Sequence, residues 1–474
     1  MLKIVNLATD SRSVNFSFLD LLAERNNDFK VVQPNKEALS YHDIPADIPQ
    51  IEKFLISECQ DGDCLILSLD TLLYGGLLES RRHNLPKKEL KIRLGLLKAL
   101  KETNPSLKIY AYSTVLRSVP ATIKEGEPEY YGVCGEEIFL YGQNEHLRRE
   151  KAISKAQFLS NKRVLLPICR PYLKDYLSRR KKNLLVTKAA ISLVESVIDE
   201  MFILNEKPAY YGFCSLDLKK LIYYSQKKSG IVTVSTCADG MGQIILSRII
   251  SGTKEYSPKV CPIFANPYDA ATKKSVKDII CSVGAVFSDE KNADILLFCN
   301  FPAPNNEAML DLGGKHNYTD FVYKMRKALD EKKKIALADA IGGKEGDSEL
   351  VRLVSEKIGI FRLTGFSGRN DMGAATAEAL SQSIFNYIGG NGKAHKKRIA
   401  TRVYEDIIYP ETLNRHKVAI DNAKENENIT QINILVGETA EKSVPELFSR
   451  YGVELDSVPQ GDENKAELIV KEKD

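Results

Sequence analysis

Short runs rich in Val, Ile, Leu, Phe and Tyr alternate along this chain with longer stretches whose apolar residues recur at helical spacing. Strand-like runs fall at 3–9, 64–69, 108–113, 210–216, 231–237, 260–265, 295–299, 335–338 and 361–365. Most are nearly continuous in apolar character, as strands covered on both faces are. Between them the spacing predicts helices at 50–59, 87–102, 188–204, 271–283, 320–331 and 374–387. Pro105 stops one of these, and Gly284, Gly359 and Gly389 punctuate others.

This alternation predicts an α/β protein of mostly parallel sheets flanked by helices, built as two Rossmann-like lobes. Residues 1–150 make the first lobe and 151–206 a basic helical connection. Residues 207–392 make a second lobe with six strands. Residues 393–474 supply a C-terminal helix and a small β appendage from 429–436 and 466–471. Nine strands would also suit a distorted β/α barrel, but the long helical interruption after the third strand favours two open sheets. The length, 474 residues, also exceeds one ordinary core. No internal repeat is evident.

Charge adds mainly exclusions. The formal net charge is +4, with acids and bases well mixed, so no nucleic-acid or membrane partner is expected. The basic runs at 179–182 and 393–398 read as solvated helix ends. The chain opens directly into a strand-like run rather than a signal peptide, and no stretch of about 18 apolar residues could span a membrane. None of the nine cysteines forms a C-x-x-C pair. Cys64, Cys214, Cys237, Cys261 and Cys299 sit inside apolar runs, which suits small buried hydrophobes in a reducing cytoplasm.

Candidate chemistry lies just beyond the strands. The first ends in Asp10-Ser11-Arg12-Ser13-Val14-Asn15. The second ends in Ser68-Leu69-Asp70, with Tyr74-Gly75-Gly76-Leu77 and Ser80-Arg81 after it. Arg117 lies beyond the third, Asp217 ends the fourth, and Asp239-Gly240 the fifth. Asn266 comes after the sixth, Asn300 after the seventh and Asp339 after the eighth. The ninth runs into Ser367-Gly368-Arg369-Asn370-Asp371. In parallel sheets all these ends lie on one edge, where ligands bind.

Any single Asp or Asn there is more simply a helix cap. Caps do not call for Arg12, Arg81, Arg117 and Arg369 in the same loops, because an arginine at a helix N-terminus opposes the helix dipole. Interleaved carboxylates, guanidinium groups and amides suit a hydroxyl-rich or anionic small molecule.

Two glycine turns have bland readings beside the functional ones. The Asp239-Gly240-Met241-Gly242 turn lacks the third glycine of a dinucleotide fingerprint, since Ile245 takes its place. It reads as a tight turn, and no nucleotide cofactor is expected. The small residues from Gly365 to Ala377 would admit either a ligand or close helix–sheet packing.

The chain has no G-x-S-x-G elbow, no Walker lysine loop and no H-E-x-x-H. His83 and His146 read as surface residues. Acid–base work therefore falls to carboxylates, and a divalent cation held by them stays open.

The strand-end segments from Asp10 to Asn15, from Ser68 to Arg81 and at Ala238-Asp239 resemble a bacterial family known as domain of unknown function 4127. The Leu337-Ala338-Asp339-Ala340 run, the Gly365 to Gly373 loop, and Arg402-Val403-Tyr404-Glu405-Asp406 with Tyr409 are similar to it too. The resemblance runs in order over about residues 1–420. It implies a constellation of polar residues but no reaction.

The expected function is a hydrolase acting on a carbohydrate or other polyhydroxylated small molecule, with a catalytic pair drawn from Asp70, Asp217 and Asp239. Asp10, Arg12, Asn15, Tyr74, Arg81, Arg117, Asp339, Arg369 and Asn370 would bind substrate. One alternative is a metal-dependent hydrolase or transferase with Asp10, Asp70 and Asp239 as ligands and an anionic substrate. Another is a non-catalytic small-molecule binding protein.

Overall fold

The computed structural model describes residues 1–410 apart from 24–27, 42, 125, 206–210, 229, 238, 303–317, 342–345, 370, 390–391 and 409. The expected C-terminal β appendage, Tyr409 and Asn370 therefore lie outside the described residues. The chain divides into two compact units. The first comprises Met1–Ser17 and Asn27–Gly242; the second takes Phe18–Asn26 and the chain from Gln243 onward.

The first unit is built on β1 (Leu2–Leu7), β2 (Phe29–Val32), β3 (Cys64–Ser68), β4 (Lys108–Thr114), β5 (Glu200–Leu204) and β6 (Val232–Ser235). They form one parallel sheet in the order β2-β1-β3-β4-β5-β6. The second unit holds β7 (Lys259–Phe264), β8 (Val286–Phe287), β9 (Ile295–Asn300), β10 (Lys334–Asp339) and β11 (Gly365–Gly368). Its sheet is also parallel, in the order β11-β10-β9-β7-β8.

Both sheets are open and flanked by helices, so the fold is α/β and the barrel alternative is excluded. Both also wind alike. The first strand sends the chain out to an edge strand, and the chain then crosses back to build the rest. The winding reverses between β1 and β3, and again between β7 and β9. Ligands of such sheets bind outside the carboxyl ends near that reversal. This shared order is a repeat of architecture that leaves no trace in residue identity.

Leu7, Leu65, Leu67, Ile109, Met201 and Ile203 lie in the core of the first unit. Phe298, Leu337, Val351 and Phe366 lie in that of the second. Every residue of β3 and β5 is buried, which accounts for their uninterrupted apolar character. No helix among the described residues is long and apolar enough to cross a membrane. Seven of the nine cysteines are buried and none forms a disulfide, as small hydrophobes behave.

Three expected elements need correction. The run at 188–204 is not one helix. The helix Lys155–Ser192 ends, Glu195 takes a left-handed conformation (φ 76°), and Glu200–Leu204 becomes β5. A short apolar run reads equally as buried helix or buried strand, so periodicity could not separate them.

The strand expected at 210–216 is instead the start of the helix Phe213–Ser225, whose buried residues include Phe213, Asp217, Leu221 and Ser225, every fourth position. The strand expected at 361–365 begins only at Gly365, after a 3₁₀ turn over Ile360–Arg362.

With β5 and β6 paired to β4, residues up to Gly242 complete the first unit. The boundaries expected at 150 and 207 do not divide it. Short β2 and β8 gave no readable pattern.

Candidate functional site at the edge of the first sheet

The loop after β1 turns back on itself through Asp10. Its Oδ1 accepts from the Arg12 amide (3.1 Å) and from Asn15 Nδ2 (3.0 Å), and its Oδ2 accepts from Arg12 Nε (3.0 Å) and Nη2 (2.8 Å). The same Nη2 donates to Asp239 Oδ1 at 2.6 Å. Asn15 Oδ1 accepts from the Gly240 amide at 2.9 Å.

Two carboxylates thus share one guanidinium, with Asn15 bracing both loops. Asp239 first, and then Asp10, hold Arg12 protonated even more firmly than usual. The side chains are partly open, 46% exposed for Arg12, 33% for Asp239 and 13% for Asp10.

Asp239 follows β6, which lies four strand spacings from β1, roughly 19 Å. The Arg12–Asp239 pair therefore requires the two loops to meet over the carboxyl ends of β3, β4 and β5.

Asp70 stands at the reversal point. Ser68 caps the short helix Leu69–Tyr74 by accepting from the Thr71 amide. Thr71 Oγ1 donates to the carbonyls of Ala8 (2.7 Å) and Thr9 (2.9 Å), tying the end of β3 to the end of β1. Asp70, in the first turn, is fully buried. Its Oδ2 accepts from the Thr114 amide (2.9 Å), and its Oδ1 from Ser113 Oγ (3.4 Å). Burial pushes its ionisation up to about 6, against the pull of those bonds and of the Arg81 charge.

Tyr112 links the two groups. Its hydroxyl accepts from Thr9 Oγ1 (3.1 Å), and its ionisation is raised by burial and by the charges of both Asp10 and Asp70. The Tyr74 hydroxyl is buried, has no hydrogen-bond partner and feels the Asp70 charge.

Other expected residues do not join this cluster. Asp217 lies within a helix, not at a strand end. It is buried against Arg180 Nε (2.7 Å) and bonded by Lys220 Nζ (2.9 Å). Arg180 also donates to the carbonyls of Leu116 (2.8 Å) and Arg117 (3.1 Å), so the pair braces the loop after β4. Arg117 Nε bonds Glu127 at 2.6 Å, and Arg81 Nη1 lies 3.7 Å from the same carboxylate. All three are largely buried, which makes an internal ion triad in place of ligand-facing arginines. Sequence reasoning missed Glu127, which sits in a loop without a pattern.

His83 is buried too. It stacks on Tyr74 at 4.7 Å, donates Nε2–H to Asn183 (2.8 Å) and accepts at Nδ1 from the Leu85 amide. Burial pushes it down to about 4, so it is neutral. His146 is likewise buried, not a surface residue.

Asp339 and Arg369 belong to the second unit. Asp339, fully buried at the end of β10, accepts from Asn300 Nδ2 (2.9 Å) and the Asp347 amide, and burial pushes it up to about 7. Arg369 lies 3.5 Å from Glu378 and 3.9 Å from Asp406. Arg402 bonds Glu378 (2.6 Å), Ser367 (2.7 Å) and Asp406. In the sequence this buried cluster showed only as Arg369 in the last strand-end loop and as the Arg402–Asp406 run, with nothing to mark Glu378.

No group of three or more His, Cys, Asp or Glu among the described residues is arranged to hold a cation. Asp10 and Asp239 instead share Arg12. The Gly240 amide, which a phosphate-binding turn would offer to an anion, is given to Asn15.

The family model for a protein of unknown function, DUF4127, matches residues 4–455. The chain belongs to that family. The match spans both units. No curated protein matches the chain.

Proposed function

We propose that this DUF4127 protein is a hydrolase acting on a carbohydrate or other polyhydroxylated small molecule, with its chemistry at the carboxyl edge of the first sheet. The observation that carries the reading is the pairing of two partly open carboxylates with a third, buried one whose ionisation lies near 6. Asp10 and Asp239 both accept from Arg12 Nη2, so their oxygens are no farther apart than those two bonds laid end to end. A general acid and a separate base that activates water make the inverting form of glycosidic cleavage.

Asp70 in its protonated form donates to the leaving oxygen. Asp239, the more open carboxylate, takes a proton from the attacking water, whose oxygen adds to the carbon released. Asp10 orients Arg12, and the hydroxyls of substrate replace part of the Arg12–Asp239 bridge.

The test is hydrolysis of a panel of chromogenic glycosides by the full chain. Once a substrate is found, Asp70→Asn and Asp239→Asn should each lower kcat at least about 100-fold, while Asp217→Asn, with its folding checked, should retain turnover. Unchanged turnover in both of the first two variants would sink the proposal. Activity abolished by a chelator and restored by Mg²⁺ would transfer the site to cation chemistry.

A further inference from the structure

The helices Tyr131–Arg149 and Lys155–Ser192 of the first unit lean together to leave a concave space of about 520 Å³, lined by residues that the edge site does not use. Its aromatic floor comes from Tyr141 and the buried Phe158, with Ile153 and the exposed Leu159 beside them. Its rim is cationic, from Arg148, Lys151, Lys155 and Lys162. Phe158 is buried, and Arg148 and Lys162 stand over its ring at 5.2 and 5.8 Å from the centroid. The cations therefore converge on the same surface that would hold an apolar body.

The charges in this space do not cancel. Glu145 is its single carboxylate, and Arg148 and Arg149 already occupy it at 2.9 Å each. Among the described residues, no carboxylate lies within salt-bridge distance of Lys151, Lys155 or Lys162. The second helix starts here as well. Ser154 and Gln157 form a capping box, the first turn carries no acid, and Lys155 sits where the helix dipole disfavours a cation. Three unneutralised lysines and a positive helix end around an aromatic floor are mutually repulsive until an anion enters.

We infer that this space binds a small organic phosphate with an aromatic body. The volume falls in the range of small-molecule sites, about 300–1,000 Å³. The phosphate would sit among Lys151, Lys155 and Lys162, and the ring would rest on Phe158 and Tyr141. A bare phosphate would satisfy the rim and leave the floor unused; an uncharged aromatic would do the reverse.

Calorimetric titration of the full chain with ADP, inorganic phosphate and adenosine tests this. ADP should bind once per chain, at least about tenfold more tightly than either fragment, and should weaken as salt rises. The double variant Lys155→Ala/Lys162→Ala disturbs no hydrogen bond; it loses the Lys162 contact with the Phe158 ring and relieves a cation at the helix start, so its thermal transition should stay close to wild type. Its ADP affinity should fall at least about tenfold. Three results would overturn the inference: no ADP binding at millimolar concentration, equal binding of inorganic phosphate, or an affinity indifferent to the double variant.

Discussion

Replacing Asp70 by Asn should stabilise the protein, and by an amount that grows with pH. Asp70 is fully buried, and its ionisation moves from an ordinary 3.8 to about 6. At about 1.36 kcal/mol per pH unit, the charged form costs the native state about 3 kcal/mol. The sign comes from proton linkage. Between 3.8 and 6 the native state binds more protons than the unfolded chain, so stability falls as pH rises through that window and is level above it. Below about 3.8 both states carry the proton and the cost vanishes.

Asn imitates the protonated carboxyl. Its oxygen can still accept from the Thr114 amide, and its NH₂ can donate to Ser113 Oγ. Asp70→Asn should therefore exceed wild type by about 2–3 kcal/mol at pH 8 and by close to nothing at pH 4. Urea unfolding of both proteins at the two pH values measures this, and taking the difference cancels every other titrating group. A variant less stable than wild type at pH 8, or a difference that does not change with pH, would refute the burial argument. The latter result would mean that a positive partner holds Asp70 ionised.

The same reasoning reaches other buried groups. Arg402→Ala would leave Glu378 and Asp406 buried with only the more distant Arg369 nearby, and should cost about 3–5 kcal/mol in urea unfolding. That loss should shrink at acid pH, where the carboxylates take up protons; a loss below about 1 kcal/mol at pH 7 would contradict it. Gly365→Ala should cost about 1–3 kcal/mol, because an added Cβ would stand 2.0 Å from the Ala379 carbonyl oxygen; a neutral melting curve would show that the helix Met372–Gly389 can simply move away.

The fold class was legible because most strands are continuous apolar runs bounded by Asp, Asn and Gly, a pattern that burial on both faces imposes. The division into units was not. It depended on Glu200–Leu204, where Met-Phe-Ile-Leu suits a buried helix as well as a buried strand. At the edge site, Asp10, Arg12, Asn15 and Asp239 come together although Asp239 lies more than 220 residues beyond the others. The rule that parallel strands share a carboxyl edge was enough to anticipate that. The rule failed for Arg81 and Arg117, because their partner Glu127 lies in a loop that no periodicity marks. The glycine turn at Gly365 proved to serve helix–sheet packing, the blander of its two readings.

A functional carboxylate at these strand ends is separated from a cap by the cost of its burial. Asp47, Asp269 and Asp347 are caps, and each accepts from amides of the helix it opens. The Thr272 amide that Asp269 caps holds its carboxyl below the usual range, as a helix N-terminus does. Asp70 and Asp339 are fully buried, at the ends of strands, and both ionise near neutrality.

Their surroundings correspond. In the winding order of each unit, the bond crosses from the third strand to the fourth: Asp70 to Thr114 in the first unit, Asn300 to Asp339 in the second. A helix needs no such group, and a packed core would be more stable with an apolar one. In the first unit the costly carboxyl, Asp70, follows the strand beside the reversal; in the second Asn300 takes that place, and Asp339 stands one strand farther out. Stability gives no reason for that placement; the proposed proton transfer to a ligand at the sheet edge would supply one.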